Sequence, residues 1–467
     1  MLTKELFSLY SNSVAIIADH DESISYEEID FFANSLYTKI NHRCLVFCLC
    51  QNTIDSLKGY VGFLVNKVVP LMLDASLEII FLEKLIEIYQ PEFLWIPQAR
   101  LSDFSKNVVV YRSTDYCLVK VKTKTIFPLH EKLALLLTTS GSTGSPKLVR
   151  VSYDNVLSNA QSIAEYLSIT FAERPITTLP MHYSFGLSVI NSHLLKGATL
   201  LLTSFSIMQK EFWTFMKEEQ ATSISGVPYT YEMLKRLRFF RMDLPALQTM
   251  TQAGGKLNFE LNKEFAEFCQ STNRRFFVMY GQTEATARMS YLPSEQSLSK
   301  LGSIGIAIPG GELSLIDENG VLISDYDKTG ELVYKGRNVS LGYAECGADL
   351  NLGDTNNGEL YTGDLARKDS DDYYYIVGRK KRFIKLFGNR VNLDETERLL
   401  KTLTYDCACT GSDDKMIIYI TESDRLEEVK KFISAKTGIN HSAFVVKQID
   451  VIPKNSSGKT IYSKLEI

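Results

Sequence analysis

The feature that most constrains this chain is a loop of glycines and hydroxyl residues that directly follows an apolar run. Residues 133–137 are apolar, and the next ten are Thr-Thr-Ser-Gly-Ser-Thr-Gly-Ser-Pro-Lys, ending at Lys147. Glycine lets backbone N–H groups converge where a Cβ would interfere, while the hydroxyls and Lys147 add donors and positive charge. Such a loop is suited to a polyphosphate. A flexible linker is the alternative, although linkers seldom follow a buried strand so abruptly.

The spacing of the glycines argues against a P-loop, which needs Gly-x-x-x-x-Gly-Lys-Ser/Thr. Counting from Gly141, the position of the second glycine is occupied by Pro146. The stretch Gly458-Lys459-Thr460 has the correct ending, but Pro453 stands where the first glycine would be required. A P-loop nucleoside triphosphatase is therefore disfavoured.

The composition is that of an ordinary globular protein. Of the 467 residues, 45% are hydrophobic and 23% are charged, and the formal net charge is −4, so nothing indicates a nucleic-acid partner. The apolar runs are shorter than the ~20 residues of a spanning helix, and the N-terminus does not resemble a signal peptide. We therefore expect no integral membrane segment and a cytoplasmic location. The eight cysteines include no Cys-x-x-Cys pair. The two Cys-x-Cys pairs, Cys48/Cys50 and Cys407/Cys409, are interpreted as buried thiols rather than a metal site.

Apolar runs alternate with amphipathic segments through most of the chain, which is typical of an α/β protein. From about residue 300, turn residues become denser, and short strands are predicted at 312–316, 331–335 and 373–377. These strands indicate a β-rich subdomain at about 300–378.

A basic run at 379–382 marks the predicted boundary between two domains. The core domain would cover residues 1–381, and a small α+β domain would cover 382–467. Within the small domain, a strand is predicted at 415–421 and a helix near 425–436, because apolar residues recur there on one helical face.

Seven further short motifs accompany the loop. They are Ser25-Tyr-Glu-Glu-Ile29, Val69-Pro-Leu71, Tyr280-Gly-Gln-Thr-Glu284, Gly330-Glu-Leu332, Tyr361-Thr-Gly-Asp364, Gly378-Arg379 with Ile384-Lys385-x-x-Gly388, and Asn455-Ser-Ser-Gly-Lys459. Together with the loop, these motifs resemble, in the same order, those of the adenylate-forming superfamily, which includes acyl-CoA synthetases, amino-acid-activating domains and beetle luciferases. The resemblance extends over nearly the whole chain. It implies a large N-terminal domain of sheets flanked by helices, with a β-rich subdomain, and a small mobile α+β C-terminal domain.

The resemblance also implies an ATP-dependent ligase that activates a carboxylic acid. A carboxylate is a poor electrophile because its leaving group would be oxide. Attack of the carboxylate on the α-phosphate of ATP expels pyrophosphate and gives an acyl–AMP anhydride with a good leaving group. Two anions must meet, so the site has to supply positive charge and oriented donors. The acyl group is then transferred to a thiol, either that of CoA or that of phosphopantetheine on an acyl carrier protein.

Most of the residues that the resemblance implies would hold ATP and Mg²⁺. The phosphate loop would comprise Thr139, Ser140, Gly141, Ser142, Thr143, Gly144 and Lys147, and the adenine and ribose sites Gly254, Gly255, Lys256, Tyr280, Gly281, Asp364 and Arg379. In the family, the residue that matches Tyr280 stacks on adenine, and the one that matches Asp364 accepts both ribose hydroxyls. Thr283 would bond the α-phosphate, and Glu284 would be a hard oxygen ligand for Mg²⁺.

Each of these residues has an ordinary structural alternative when taken alone. Thr283 and Glu284 could be a helix cap followed by a first-turn acid. The glycines at 254–255 could form a plain turn, Asp364 could lie in a surface turn, and Arg379 could be a solvated charge. The ordered set of motifs is what favours the binding interpretation.

The remaining implied residues belong to the C-terminal part of the chain. Lys459 matches the catalytic lysine, which bridges the carboxylate and phosphate oxygens in the transition state, although alone it would be a solvated tail charge. The family's C-terminal domain swings between two orientations, and Lys381 fits the hinge. In the second orientation, the loop from Lys385 to Gly388 would serve thiol transfer.

Residues 178–187 match the family segment that lines the acid pocket, and Gly226 and Val227 map near it. Amino-acid-activating domains usually carry an aspartate in this segment to pair with the substrate ammonium, and this segment has no acid. His182 is displaced by one position from the usual histidine, whose place is taken by Tyr183. An acyl or aryl acid is therefore favoured, with an amino-acid-activating enzyme that loads a carrier protein as the alternative.

The predicted C-terminal domain is short for the family, which leaves less surface for a nucleotide-bearing thiol. We therefore hypothesise that the thiol acceptor is a carrier-protein pantetheine rather than free CoA. A catalytically silent relative that only binds nucleotide is the alternative from another class. Intact Thr283, Glu284, Asp364 and Lys459 argue against it.

Overall fold

The computed structural model describes residues 4–19, 22–138, 147–380, 382–387, 389–404, 406–412, 414–454 and 460–465. The chain forms two compact units. The first comprises Met1–Glu312 and Tyr334–Leu360, and the second comprises Leu313–Val333 and Tyr361–Ile467. The domain boundary predicted after Lys381 lies within the second unit, and it stays a prediction.

The described chain alternates helices and strands through most of its length. The helices are α1 Lys4–Leu9, α2 Tyr26–Ile40, α3 Ile54–Val65, α4 Ile79–Tyr89, α5 Tyr153–Tyr166, α6 Ser184–Leu194, α7 Lys210–Glu218, α8 Pro228–Arg236, α9 Phe259–Ser271, α10 Leu393–Leu400 and α11 Leu426–Thr437. The strands are β1 Val14–Ala18, β2 Ser23–Ser25, β3 Leu45–Cys50, β4 Val69–Asp74, β5 Phe93–Pro97, β6 Val108–Arg112, β7 Tyr116–Lys120, β8 Leu133–Thr138, β9 Leu148–Ser152, β10 Pro175–Ile176, β11 Leu200–Leu202, β12 Ser223–Gly226, β13 Thr249–Gln252, β14 Arg275–Tyr280, β15 Ser290–Leu292, β16 Ile306–Ala307, β17 Gly311–Ile316, β18 Gly330–Gly336, β19 Tyr343–Ala344, β20 Glu359–Lys368, β21 Tyr374–Arg379, β22 Phe383–Leu386, β23 Asn389–Asn392, β24 Cys407–Ser412, β25 Lys415–Ile420 and β26 Phe444–Gln448.

One sheet of the first unit has the strand order β19-β9-β8-β4-β3-β5-β7-β6. Every residue of β3 is buried, as expected for a parallel strand covered on both faces. Cys48 and Cys50 face a core that includes α2 and α3, whereas Phe47 and Leu49 face a second core that includes α4. The Cys-x-Cys spacing therefore places two buried thiols on one face of a strand, as predicted.

A second sheet of the first unit has the order β16-β15-β14-β13-β12-β10-β11-β1-β2. Its strands β12, β13 and β14 are parallel, and Gly226 is in register with Gln252, which is in register with Val278. Parallel strands in register end at the same edge of a sheet, and ligands of open α/β sheets bind at the carboxyl edge. The residues that follow these three strands are therefore brought close together.

The β-rich region predicted at about 300–378 forms a sheet with the order β17-β18-β20-β21. Further along, β24, β25 and β26 form a smaller sheet, whose core includes Val429 and Ile433 of α11. The strand predicted at 415–421 and the helix predicted near 425–436 correspond to β25 and α11. These elements confirm the predicted fold class of a large α/β part followed by a smaller β-rich and α+β part.

Candidate active site

Three sequence-predicted residues meet at the carboxyl edge of β12, β13 and β14. Gly254, whose φ is +82°, follows β13, and a Cβ placed on it would lie 2.7 Å from the Tyr183 hydroxyl and 3.0 Å from Val227 Cγ1. Gln252 Nε2 donates 2.8 Å to Gly255 O, which fixes the turn. Glycine at 254 thus allows the backbone to approach Tyr183 and Val227 closely, and a larger residue would displace them. Lys256 lies exposed beyond this turn.

The loop after β14 is tightly folded and begins at Gly281. A Cβ on Gly281 would lie 1.7 Å from Ala287 O, so only glycine fits there. Met289 N donates 2.9 Å to Tyr280 O, which closes the loop, and Ala287 has a φ of +95°. A non-glycine residue in that region is strained, and strained backbone is characteristic of functional sites. This loop carries the Thr-Glu pair that the motifs singled out.

Thr283 lies in a single 3₁₀ turn, Thr283–Ala285, rather than at the cap of an α-helix. Its hydroxyl is 3.1 Å from Ser184 Oγ, and Ser184 is the first residue of α6. The acid-pocket segment 178–187 is therefore held directly against the predicted α-phosphate ligand. Ser184 was not singled out from the sequence, although it lies within the segment that was.

Glu284 is held by a residue that the sequence motifs do not mark. The Tyr343 hydroxyl donates a 2.8 Å hydrogen bond to Glu284 Oε1, and burial raises the Tyr343 pKa above its ordinary value, with the Glu284 carboxylate acting in the same direction. The phenol is therefore a neutral donor. Lys147 Nζ lies 3.7 Å from the centre of the Tyr343 ring and 3.8 Å from Glu345 Oε1. The end of the phosphate loop and the predicted Mg²⁺ ligand thus share one aromatic neighbour.

His182 lies at the carboxyl edge of the other sheet of the first unit. Its Nε2 is 3.7 Å from Asp74 Oδ2, and Asp74 ends β4. Burial lowers the His182 pKa, although Asp74 acts in the opposite direction, so the ring is neutral at neutral pH. Its Nδ1 is buried without a hydrogen-bond partner. A buried donor or acceptor without a partner is available to a ligand.

The two predicted ribose residues are neighbours in the second unit. Asp364 on β20 is in register with Arg379 on β21, and Arg379 Nε lies 3.3 Å from Asp364 Oδ1. The Asp364 side chain is buried whereas that of Arg379 is exposed. A buried carboxylate beside an exposed guanidinium can accept hydrogen bonds from two hydroxyls at once.

A buried polar network in the second unit was not predicted. Glu397 accepts hydrogen bonds from Arg382 Nη2 at 2.6 Å, Cys409 N at 2.7 Å and the Tyr462 hydroxyl at 3.0 Å. Arg382 Nε is also 2.6 Å from Asp394 Oδ1. These contacts join α10, β24 and the C-terminal segment. Nothing in the local sequence identifies them, because the partners are far apart along the chain.

Several predicted residues lie outside the described ranges. They are Thr139, Ser140, Gly141, Ser142, Thr143, Gly144, Lys381, Gly388 and Lys459. Their assignments stay predictions. Lys385 is described, and it is exposed on β22.

Comparison with known proteins places this arrangement in a family. A family model described as AMP-binding enzyme matches residues 8–344. The chain therefore belongs to the AMP-binding enzyme family.

Sequence relatives include 2-succinylbenzoate–CoA ligase of Bacillus velezensis, which is 28% identical over 343 residues that cover 71% of this chain and 68% of the relative. Another is 4-coumarate–CoA ligase-like 8 of Arabidopsis thaliana, which is 28% identical over 350 residues, or 71% of this chain and 62% of the relative. The alignments thus span about two thirds of the length of these relatives.

Solved structures share the fold over the whole chain. The o-succinylbenzoate CoA synthetase of Bacillus subtilis in complex with AMP has a TM-score of 0.80 and 21% identity, and the match covers 99% of this chain and 97% of that one. The same synthetase with its acyl-adenylate intermediate has a TM-score of 0.81 at 21% identity, with coverage of 99% and 97%. The family and the named ligases confirm the predicted class of AMP-forming acid–thiol ligases. In the described part of the chain, no helix combines the length and apolarity needed to cross a membrane.

Proposed function

We propose that this protein is an ATP-dependent acid–CoA ligase that works through an acyl adenylate. The observation that carries the proposal is the convergence of Lys147, Glu284 and Thr283 in the first unit. Tyr343 joins Lys147 to Glu284, and Ser184 joins Thr283 to the acid-pocket segment. A cation, a hard oxygen ligand and a hydroxyl donor are what a polyphosphate and its metal ion require.

In the first step, a carboxylate oxygen of the acid would attack the α-phosphorus of ATP, and pyrophosphate would leave. Thr283 would donate to the α-phosphate, and Lys147 with the loop before it would hold the outgoing phosphates. Glu284 fits Mg²⁺ because its carboxylate is a hard oxygen ligand. The neutral Tyr343 hydroxyl, which donates to Oε1, orients this carboxylate. When bound, Mg²⁺ neutralises charge on the phosphates. Lys459 is proposed to bridge the reacting oxygens.

In the second step, the thiol of CoA would attack the carbonyl carbon of the adenylate, and AMP would leave. Asp364 and Arg379 are proposed to hold the ribose of the nucleotide. The named relatives are CoA ligases, which favours CoA over a carrier-protein pantetheine. This choice reverses the expectation from the short C-terminal region.

The experiment that tests the proposal is acid-dependent exchange of labelled pyrophosphate into ATP across acyl, aryl and amino acids. We expect exchange with one or more acyl or aryl acids and a large loss in Glu284→Gln, which keeps the side-chain shape but weakens Mg²⁺ binding. No exchange with any acid would contradict the proposal. Exchange with amino acids only would favour the amino-acid-activating alternative. Thioester formation is then compared with CoA and with a pantetheinylated carrier protein.

A further inference from the structure

Arg288 is buried against the acid-pocket segment. Arg288 is 2% exposed, and its guanidinium lies 3.8 Å from the centre of the Phe185 ring. The guanidinium donates a hydrogen bond to the Tyr166 hydroxyl, and the Tyr183 hydroxyl is a further polar neighbour. A cation at such a depth is costly unless a partner of opposite charge compensates it.

Within the described ranges, no carboxylate forms an ion pair with Arg288, and its Nε is buried without a hydrogen-bond partner. The neighbouring phenols do not supply an anion, because burial raises the pKa of Tyr183 to about 12 even though Arg288 acts in the opposite direction. The pKa of Tyr166 is also raised by burial. The positive charge of Arg288 is therefore left without a negative partner in this part of the protein.

The backbone of Arg288 is fixed firmly. Its carbonyl accepts hydrogen bonds from Asn159 Nδ2 at 3.0 Å and from Asn338 Nδ2 at 2.8 Å. It follows Ala287, whose φ of +95° is strained. The fold thus supports both a strained backbone and a buried cation at adjacent positions, and strain and uncompensated charge are retained where function needs them.

Arg288 is also close to the reacting end of the site. It is carried by the same closed loop as Thr283, and the ring that it contacts, Phe185, adjoins Ser184, whose hydroxyl is 3.1 Å from that of Thr283. Tyr183, on the other side of Ser184, lies close to Gly254, where an added Cβ would be 2.7 Å from its hydroxyl. Arg288 therefore contacts the segment that also contacts Thr283, the residue proposed to bond the α-phosphate.

We propose that Arg288 binds a second carboxylate of the substrate, so that the acid activated by this enzyme is a dicarboxylic acid. This inference rests on the proposed function. One carboxylate would attack ATP, and the other would stay unreacted and accept hydrogen bonds from the guanidinium fork, which matches a carboxylate in geometry. Aromatic rings around the guanidinium exclude water and strengthen this pairing.

The test compares acids that differ only in the second carboxylate. Suitable pairs are adipate with hexanoate, and 2-succinylbenzoate with 4-oxo-4-phenylbutanoate, each measured as kcat/KM in pyrophosphate exchange by the wild-type enzyme. We expect the better diacid to exceed its partner about 100-fold, since a site built for a polar group discriminates strongly against analogues that lack it. Monoacids used as well as or better than their paired diacids would overturn the inference and leave the proposed function standing. No exchange with any acid would instead refute the proposed function.

Two variants then assign the preference to one side chain. Arg288→Met replaces the guanidinium by an apolar chain of similar length, and the diacid-to-monoacid ratio should fall to about one. Arg288→Lys keeps the charge without the fork and should give an intermediate ratio. The matched control is Arg275→Met at the start of β14, where the guanidinium is paired with Glu173 at 3.8 Å, and its ratio should equal that of the wild type. A wild-type diacid-to-monoacid ratio in Arg288→Met would overturn the inference. The comparison of paired acids with the wild-type enzyme decides the substrate class even where a variant does not fold.

Discussion

The Tyr343 hydroxyl donates a 2.8 Å hydrogen bond to Glu284 across 59 positions of sequence. The same ring lies 3.7 Å from Lys147 Nζ. One aromatic side chain thus links the proposed Mg²⁺ ligand to the lysine at the end of the phosphate loop. Charged groups that are oriented before the reaction need little reorganisation during it, which is the main source of electrostatic catalysis.

Substitution of Tyr343 separates its two contacts. Tyr343→Phe keeps the ring beside Lys147 but removes the hydrogen bond to Glu284, so we expect the KM for MgATP to rise about tenfold, from the ~1.5 kcal/mol of a hydrogen bond to a charged group. Tyr343→Ala also removes the cation–π contact, worth ~0.5–1 kcal/mol at a partly exposed position, and should raise it further. Pyrophosphate exchange at varied MgATP measures both effects. Wild-type KM values in both variants would show that the link does not matter for nucleotide binding.

Gly281 should tolerate no side chain. In Gly281→Ala the new Cβ would meet Ala287 O at 1.7 Å, so the backbone that carries Thr283 and Glu284 has to move. We expect adenylation to fall at least about 100-fold, because small displacements of reacting groups are costly, and unfolding to become easier by ~2 kcal/mol. The control is Gly353→Ala, where the nearest atom would be 3.8 Å away, and activity and melting temperature should be unchanged. Normal adenylation by Gly281→Ala would mean that the loop can relax.

His193 should make stability depend on pH. It is buried in α6, its Nδ1 is 2.8 Å from Val189 O, and burial lowers its pKa from 6.5 to about 4. The unfolded chain therefore binds the proton more tightly than the folded chain. Stability from this group is fully present above about pH 6.5 and is lost as the pH falls towards 4, by up to ~3 kcal/mol.

Urea unfolding at pH 7.5 and pH 5 measures this dependence. His193→Gln cannot titrate and should lose less stability between the two pH values than the wild type does. His441→Gln, at an exposed position, should behave like the wild type. An identical loss in His193→Gln and wild type would rule out His193 as the source.

The parts of the fold that local sequence determines were predicted well. The helix α11 and the strand β25 follow from apolar periodicity within about a dozen residues, and the Cys48/Cys50 pair follows from the alternation of a strand. The motif residues Gly254, Tyr183 and Val227 were each predicted from the resemblance, and the structure adds that Tyr183 and Val227 both lie close to Gly254.

The contacts that sequence reasoning missed depend on long-range pairing. Tyr343 reaches Glu284 because β19 pairs with β9 at Val149. No local sequence pattern predicts that pairing. Arg288 was not singled out from the sequence, and its burial in the structure is what distinguishes it. A charge without a partner is a property of the packed structure, since a sequence shows neither depth nor neighbours.

The C-terminal segment supplies the sharpest test of the two-step reaction. Lys459→Ala should slow adenylation by about 10³-fold or more, because a charge that stabilises only the transition state is lost. Thioester formation from preformed acyl adenylate should survive, since the second step does not use this lysine in the proposed scheme.

Three positions after Lys459, the Tyr462 hydroxyl donates a 3.0 Å hydrogen bond to Glu397, and the Tyr462 ring lies 3.9 Å from the Arg382 guanidinium.

Tyr462→Phe keeps that ring and removes the hydroxyl, so it should weaken the attachment of the segment that follows Lys459. We expect adenylation to fall about tenfold, in line with the ~1–1.5 kcal/mol of one hydrogen bond, with the thiol half-reaction retained. Tyr375→Phe, which loses a 3.1 Å hydrogen bond to Asp369 elsewhere in the second unit, is the matched control and should leave both half-reactions intact. Equal losses in both half-reactions of Lys459→Ala would contradict the assignment of this lysine to the first step alone. Wild-type adenylation by Tyr462→Phe would show that the hydrogen bond to Glu397 does not position the segment.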